Sequence, residues 1–173
     1  MELIISNFDD LRNILNDPRI TLTQAIKISE SFCRFIVLDN IRKSKEVFKN
    51  SGVVIEDLGD GILNCEFRSK MNTIGGDVLA GLNKAVDLAE QNFEGLVIGN
   101  QGANFSVGAN IGMIFMMAVE QEYDELNMAI KYFQDTMMRM RYSSIPTIAA
   151  PHGMTLGGGC ELVINSDRAV AAA

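Results

Sequence analysis

Three consecutive glycines, Gly157 to Gly159, stand between a largely apolar run over residues 145–150 and a segment of helical character. Glycine has no Cβ, so the backbone can approach a ligand closely, and amide N–H groups stay free where a helix begins. Glu161 follows these amides by about one helical turn. The pattern predicts a strand-to-helix junction with an anion-stabilising backbone beside an acid. A plain glycine-rich turn between a strand and a helix is the alternative.

A second junction of the same kind lies earlier in the chain. Residues 95–100 (Gly-Leu-Val-Ile-Gly-Asn) are typical of a short buried strand closed by a glycine. A loop containing Gly102 and Gly108 follows and opens into a methionine-rich helix. Two such junctions could each supply one N–H group to a single oxygen. A pair of donors aimed at a developing enolate stabilises it by roughly 3–4 kcal/mol per donor.

The two junctions together resemble the enoyl-CoA hydratase/isomerase (crotonase) superfamily. The resemblance rests on residues 105–110 (Phe-Ser-Val-Gly-Ala-Asn) and 148–161 (Ile-Ala-Ala-Pro-His-Gly-Met-Thr-Leu-Gly-Gly-Gly-Cys-Glu). A narrower similarity, to the hydratase half of bifunctional 3-hydroxyacyl-CoA dehydrogenase/enoyl-CoA hydratase proteins, rests on residues 58–61, 66–72, 95–102 and 149–151. The resemblance implies an α/β fold with a crotonase-like (ClpP/crotonase) β-β-α spiral core, incomplete at its C-terminus and preceded by an N-terminal helical segment.

The resemblance also assigns roles by position. Ala109 and Gly158 match the two backbone amides that hold the thioester carbonyl in an oxyanion hole, and Glu161 matches the first of two catalytic glutamates. Asn110 stands where the family usually has an aspartate, a change that alters local charge but leaves the backbone donor in place. The implied substrate- and CoA-binding residues are Ala109, Asn110, Ile111, Gly112 and Gly158, with Lys70 and Asn72 in a loop near the CoA moiety.

Six of the methionines in the helical segments permit two interpretations. Methionine is flexible and polarizable, which suits a wall that accommodates varied acyl chains. Helical spacing more often means core packing, and we favour the core for the group as a whole. We predict that Met113 and Met116, immediately after the Ala109 loop, contribute to an acyl pocket. The group is Met113, Met116, Met117, Met137, Met138 and Met140.

The resemblance implies an enoyl-CoA hydratase-type lyase of fatty-acid β-oxidation, which hydrates 2-enoyl-CoA to 3-hydroxyacyl-CoA. It implies no metal and no cofactor other than the coenzyme A of the substrate, and assembly as a homotrimer or hexamer. The family's second glutamate is expected beyond Ala173, so we expect a fragment or truncated gene product that is weak or inactive by itself. A crotonase-family isomerase or hydrolase, or a non-catalytic acyl-CoA-binding fragment, is the alternative.

Composition excludes several other classes of function. The net charge of −7 argues against a nucleic-acid partner and against binding to an anionic membrane surface. We recognise neither a signal peptide nor an apolar run near the ~20 residues that span a bilayer. The three cysteines lack zinc-site spacing, which suggests reduced thiols and a cytoplasmic protein. A nucleophilic Cys160 with His152 as its base is a remaining minor alternative.

We divide the chain into a helical linker or N-terminal extension (residues 1–50) and the N-terminal part of a crotonase-like domain (residues 51–173). Helical spacing is evident over residues 8–15 and 26–37, and we recognise no dinucleotide-binding Gly-x-Gly-x-x-Gly fingerprint. The second part predicts a hairpin, then alternating helices and strands. The predicted ranges are a hairpin over residues 53–67, helices over 77–91, 111–120 and 123–141, and strands over 95–100, over 146–150 and from 167 onward.

Overall fold

The computed structural model describes residues 38–172. The two helices predicted over residues 8–15 and 26–37 lie outside the described residues. The chain divides into two units between Ser44 and Lys45. Helix α1 (Leu38–Lys45) ends at this division, and everything described below belongs to the second unit. None of the helices within residues 38–172 combines the length and the apolar character needed to cross a bilayer.

The second unit is built on one mixed sheet, whose strands neighbour one another in chain order. The first three strands pair antiparallel and the later strands join in parallel. The strand β1 lies within the segment that we expected to be helical, so the sheet begins before residue 50. The strands are β1 (Glu46–Lys49), β2 (Val53–Gly59), β3 (Ile62–Phe67), β4 (Gly95–Ile98), β5 (Thr147–Ala149) and β6 (Arg168–Ala169).

Helices connect the parallel strands, as the alternation of patterns predicted. Helix α2 joins β3 to β4, the pair α3 and α4 joins β4 to β5, and α5 joins β5 to β6. This order gives an α/β arrangement of a β-hairpin followed by helix–strand units, as the resemblance implied. The helices are α2 (Gly76–Asn92), α3 (Ile111–Val119), α4 (Tyr123–Arg141) and α5 (Gly158–Ile164), with a short 3₁₀ turn over Lys70–Asn72.

The predicted hairpin is confirmed. Strands β2 and β3 are joined at Asp60, whose φ of 52° is the left-handed conformation that such tight turns require. Asp57 stabilises the turn because its Oδ1 accepts a 2.7 Å hydrogen bond from the Gly59 amide. The pairing Val53 with Phe67 fixes the register at the open end. Ile55 lies opposite Cys65 in the same register, so these four apolar side chains share one face, where a helix can cover them.

Helix α2 covers that face with the apolar stripe seen in the sequence. Val78, Leu82 and Val86 are each at most 1% exposed. The backbone of α2 approaches the sheet very closely, because a Cβ added to Gly81 would lie 2.2 Å from a methyl carbon of Val53. Burial raises the pKa of the Cys65 thiol in the same core, and the Glu56 and Glu66 carboxylates act in the same direction. Cys65 is thus a protonated packing residue.

Helix α4 packs beside α2 and brings part of the methionine group into the core. Met137 and Met140 are 3% and 0% exposed, which confirms the core prediction for these two. The core prediction is wrong for Met138, which is 45% exposed; Met113 and Met116, which we predicted to contribute to an acyl pocket, are 45% and 52% exposed. They stand on helix faces that no described residue covers fully. Between the two helices, Asn83 donates a 2.9 Å hydrogen bond to the Thr136 hydroxyl.

Candidate active site

The two glycine-containing loops lie against each other at the carboxyl ends of β4 and β5. Ser106 of the first loop pairs with Thr155 of the second as an isolated parallel bridge. One close contact is at Gly108, whose φ is +88°. A Cβ at Gly108 would lie 2.7 Å from the Leu156 carbonyl oxygen and 3.0 Å from the Gly158 nitrogen. The loops therefore meet backbone to backbone, and only glycine fits at the point of contact.

The contact brings the two predicted donors together. A Cβ built on Gly158 would lie 3.5 Å from the Ala109 nitrogen, so both amides border the same small space. The ring of Phe133 closes another side, 3.0 Å from that Cβ position. Within residues 38–172, neither the Ala109 nor the Gly158 amide donates a hydrogen bond to another protein group. Two neighbouring unpaired N–H groups can both bind one oxygen.

These amides open into a cavity of about 340 Å³ with a mainly apolar lining. Its walls come from three places: the segment before and into α2, the Ala109 loop with the start of α3, and helix α4. The lining residues are Ile74, Gly75, Gly76, Leu79, Ala109, Asn110, Met113, Ile114, Leu126, Ala129, Ile130, Tyr132, Phe133, Gln134, Gly158 and Glu161. The cavity thus gathers both amides, Glu161 and Met113, all of which the sequence indicated.

Glu161 lies in the first turn of α5 and is exposed on the cavity side. Leu162, next along the helix, is fully buried and anchors α5 to the core. The Glu161 carboxylate makes no hydrogen bond or ion pair with any residue in the described part of the chain. It also borders an adjoining cavity of about 310 Å³, together with Gln134, Met137, Met138 and Asn165. A carboxylate without a hydrogen-bond partner, beside two unpaired amides, can accept or donate a proton.

The other predicted binding residues are spread more widely. Asn110 borders the cavity and caps α3, because its Oδ1 accepts a 3.2 Å hydrogen bond from the Met113 amide. Ile111, Gly112 and Met116 follow on the exposed part of α3 and do not line the cavity. Their assignment to substrate binding stays a prediction.

The loop residues predicted to lie near CoA differ from each other in environment. Lys70 is exposed and outside the cavity lining. Asn72 is 9% exposed, and its side-chain amide donates a 2.9 Å hydrogen bond to the Asn104 carbonyl. Asn72 therefore holds the first loop in place through this hydrogen bond. Direct contact of either residue with CoA stays a prediction.

Helix α4 supplies the wall that sequence reasoning missed. Ile130, Phe133 and Gln134 line the cavity opposite the two loops. The available signal was their i, i+3, i+4 spacing on one face of a predicted helix. That spacing shows that the three residues share one face of α4. It does not show that this face meets the loop that carries Ala109.

The geometry does not support the cysteine–histidine alternative. The two ring nitrogens of His152 contact backbone carbonyl oxygens, Nε2 that of Gly102 at 2.8 Å and Nδ1 that of Ala150 at 3.4 Å. Neither nitrogen contacts Cys160, which is exposed on the next helix. Across residues 38–172 there is also no cluster of three or more His, Cys, Asp or Glu side chains that could hold a metal ion.

Comparison with known proteins agrees with this arrangement. A sequence model described as enoyl-CoA hydratase/isomerase matches residues 58–173. The chain is 46% identical over 138 residues to the "Probable 3-hydroxyacyl-CoA dehydrogenase" of Bacillus subtilis (strain 168), covering 79% of this chain and 18% of that protein. It is 34% identical over 175 aligned residues to the "Putative fatty acid oxidation complex trifunctional enzyme" of Rickettsia prowazekii (strain Madrid E), covering 98% and 23% respectively.

Solved structures support the same relationship. The chain resembles an enoyl-CoA hydratase from Thermoplasma volcanium GSS1 with 29% identity and a TM-score of 0.62, over 72% of this chain and 50% of that one. An enoyl-CoA hydratase/isomerase from Xanthobacter autotrophicus Py2 gives 26% identity and a TM-score of 0.62, over 71% and 46%. The chain spans about a fifth of the two curated relatives and about half of these structures. With its crotonase-like fold, the chain belongs to the enoyl-CoA hydratase/isomerase superfamily.

Proposed function

We propose that this chain is an enoyl-CoA hydratase-type domain of fatty-acid β-oxidation that binds an acyl-CoA thioester in the 340 Å³ cavity. One observation carries the proposal: the unpaired amides of Ala109 and Gly158 and the free carboxylate of Glu161 border the same cavity. The family match and the names of the curated relatives together favour a larger protein that combines hydratase and 3-hydroxyacyl-CoA dehydrogenase activities.

The proposed reaction is the addition of water across the C2–C3 double bond of a 2-enoyl-CoA. The water oxygen bonds to C3, and electrons move through C2 onto the thioester oxygen to give an enolate. The Ala109 and Gly158 amides donate hydrogen bonds to that oxygen and stabilise its charge. Glu161 accepts the proton from water as the new bond forms. A proton then returns to C2, which completes the 3-hydroxyacyl-CoA.

The last proton transfer is the step for which the chain lacks an evident acid. The family resemblance implies a second glutamate at this step, and no glutamate follows Glu161 in the sequence. We therefore expect the 173-residue chain to bind thioesters better than it hydrates them. A crotonase-family isomerase or hydrolase would use the same amides with a different acid, and a non-catalytic acyl-CoA-binding fragment would use the amides alone. None of these proposals requires a metal or a second cofactor.

The expected partners follow from the same proposal. We propose a homotrimer or hexamer, in line with the family resemblance, and no nucleic-acid or membrane partner. The apolar residues Ile111, Phe115 and Val119 on α3 are between 58% and 77% exposed, as expected for a surface covered in an assembly. The cytoplasmic location stays a prediction.

Hydration of crotonyl-CoA by the purified chain tests the proposal, with Glu161→Gln as the matched variant. The substitution keeps the size of the side chain but removes its ability to accept a proton. We expect slow hydration by the unmodified chain and at least a hundredfold further loss in Glu161→Gln, as is typical of a lost general base. Equal slow rates in both proteins would exclude Glu161 as the base. Unmodified-chain rates equal to those of a complete hydratase would exclude the need for a second acid.

Thermal unfolding with and without a CoA thioester separates a binding domain from a chain that has no site. A ligand that binds only the native state raises the unfolding midpoint. A non-catalytic binder would be stabilised by acetoacetyl-CoA without hydrating crotonyl-CoA. No shift at saturating thioester would contradict acyl-CoA binding altogether.

A further inference from the structure

Ser106 lies behind the two unpaired amides and outside the cavity lining. It is fully buried, and its hydroxyl makes two hydrogen bonds. The hydroxyl donates to the Asn72 carbonyl oxygen at 2.7 Å and accepts from the Gly108 N–H at 3.1 Å. The second bond fixes the residue that immediately precedes the Ala109 amide. Ser106 therefore acts on the orientation of the first proposed donor without touching the cavity.

The same residue also contacts the loop that carries the second donor. The Ser106 carbonyl oxygen accepts a 2.9 Å hydrogen bond from the Leu156 amide, and its own amide donates to the Met154 carbonyl at 3.2 Å. A Cβ added to Gly159 would lie 2.9 Å from the Ser106 Cβ and 3.2 Å from its hydroxyl oxygen. The start of α5 thus packs directly on the Ser106 side chain.

We propose that Ser106 is a positioning residue that sets the relative placement of the Ala109 and Gly158 amides. The inference rests on the proposed function, because it explains how that oxyanion hole is held in shape. A buried hydroxyl that satisfies one backbone donor and one acceptor holds both in place, and its loss leaves both unpaired. Donor groups stabilise a developing charge only when their geometry is fixed in advance.

Amide NMR spectra of the ¹⁵N-labelled full chain test the proposal without any ligand. The variant is Ser106→Ala, and the control is Ser69→Ala. The Ser69 hydroxyl donates a 2.6 Å hydrogen bond to the Thr73 carbonyl in a neighbouring turn. In Ser106→Ala we expect shifted Ala109 and Gly158 signals and about tenfold faster hydrogen exchange of the Gly108 amide, as for one lost hydrogen bond. Ser69→Ala should leave the Ala109 and Gly158 signals and the exchange rate of the Gly108 amide unchanged.

Unchanged Ala109 and Gly158 signals in folded Ser106→Ala would overturn the proposal, and so would equal changes in the Ser69→Ala control. If Ser106→Ala does not fold, Ser106→Cys decides the question, because a thiol keeps the size of the side chain but bonds weakly. We expect Ser106→Cys to shift the two donor signals and to leave sheet amides such as Leu63 unchanged. Unaltered donor signals in that variant would overturn the proposal.

A ligand pair links the positioning role to function. Acetoacetyl-CoA carries the thioester oxygen, whereas an S-butyl-CoA thioether has no oxygen at that position. We expect the ratio of the affinity for acetoacetyl-CoA to the affinity for the thioether to fall about tenfold in Ser106→Ala. The affinity for the thioether itself should equal that of the unmodified chain. Equal loss for both ligands would indicate a general structural role and overturn the proposal. If the unmodified chain shows no preference, the proposed function fails, and the NMR spectra still decide the role of Ser106.

Discussion

At the scale of single residues, the site depends on how closely two backbones can approach. Gly108 combines a φ of +88° with a very close contact between the two loops. A side chain there would have to enter a strained conformation and displace the Leu156 carbonyl oxygen at the same time. Gly112, the second residue of α3, has no such contact closer than 3.4 Å.

We predict that Gly108→Ala lowers the free energy of unfolding by about 2 kcal/mol or more, through backbone strain and the short contact. The matched control is Gly112→Ala. That change lies within a helix, where alanine is favoured over glycine by up to about 1 kcal/mol, so stability should be kept or slightly raised. Urea unfolding of the two variants measures the difference. Equal stability of the two would contradict the close contact between the loops.

At the scale of elements, a charged clamp holds α4 against α2. Arg139 donates hydrogen bonds to Glu90 at 2.9 Å and to Asp87 at 3.0 Å. The Ser144 amide adds a 2.9 Å bond to the same Glu90 carboxylate. These donors, the Arg139 guanidinium first, lower the pKa of Glu90 from 4.5 to about 2. Because α4 forms one wall of the cavity, the clamp also fixes the site.

A carboxyl group with a lowered pKa stabilises the fold when it is ionised. Its contribution is therefore complete above pH 4.5 and is lost as the pH falls towards 2. Solvent screens this partly exposed pair, so we expect about 1 kcal/mol. Glu90→Gln should show a correspondingly shallower loss of stability between pH 4.5 and 2, measured by urea unfolding at several pH values. A slope identical to that of the unmodified chain would contradict the clamp.

The helices and strands were largely predictable from the sequence, but what packs against each of them was less so. The helix predicted over residues 123–141 matches α4, and the hairpin matches β2 and β3, because both have clear periodicity and turn residues. Helix α3 was harder to interpret, since the sequence Ile-Gly-Met-Ile-Phe-Met-Met-Ala-Val is apolar all round and presents no single face to a core. Its exposure could not be derived from its own pattern.

At the scale of the whole molecule, the site is an assembly of distant segments. The motifs indicated Ala109, Gly158 and Glu161, and the structure brings all three to one cavity. The wall formed by α4, including Phe133 and Gln134, depends on long-range packing of α4 on α2 and was therefore not predictable from local pattern. The placement of Asn72 likewise depends on a hydrogen bond to a carbonyl 32 residues away.

Calorimetric titration with acetoacetyl-CoA tests most directly whether the Gly158 amide binds a thioester oxygen. Gly158 is the first residue of α5, a position where proline is tolerated in a helix, and Gly158→Pro removes the N–H donor. Gly158→Ala is the control, because it adds a Cβ against Phe133 and keeps the donor. We predict binding by the unmodified chain, somewhat weaker binding by Gly158→Ala, and loss of at least a further hundredfold in Gly158→Pro. Equal affinities of the folded proline and alanine variants would contradict the proposed oxyanion hole.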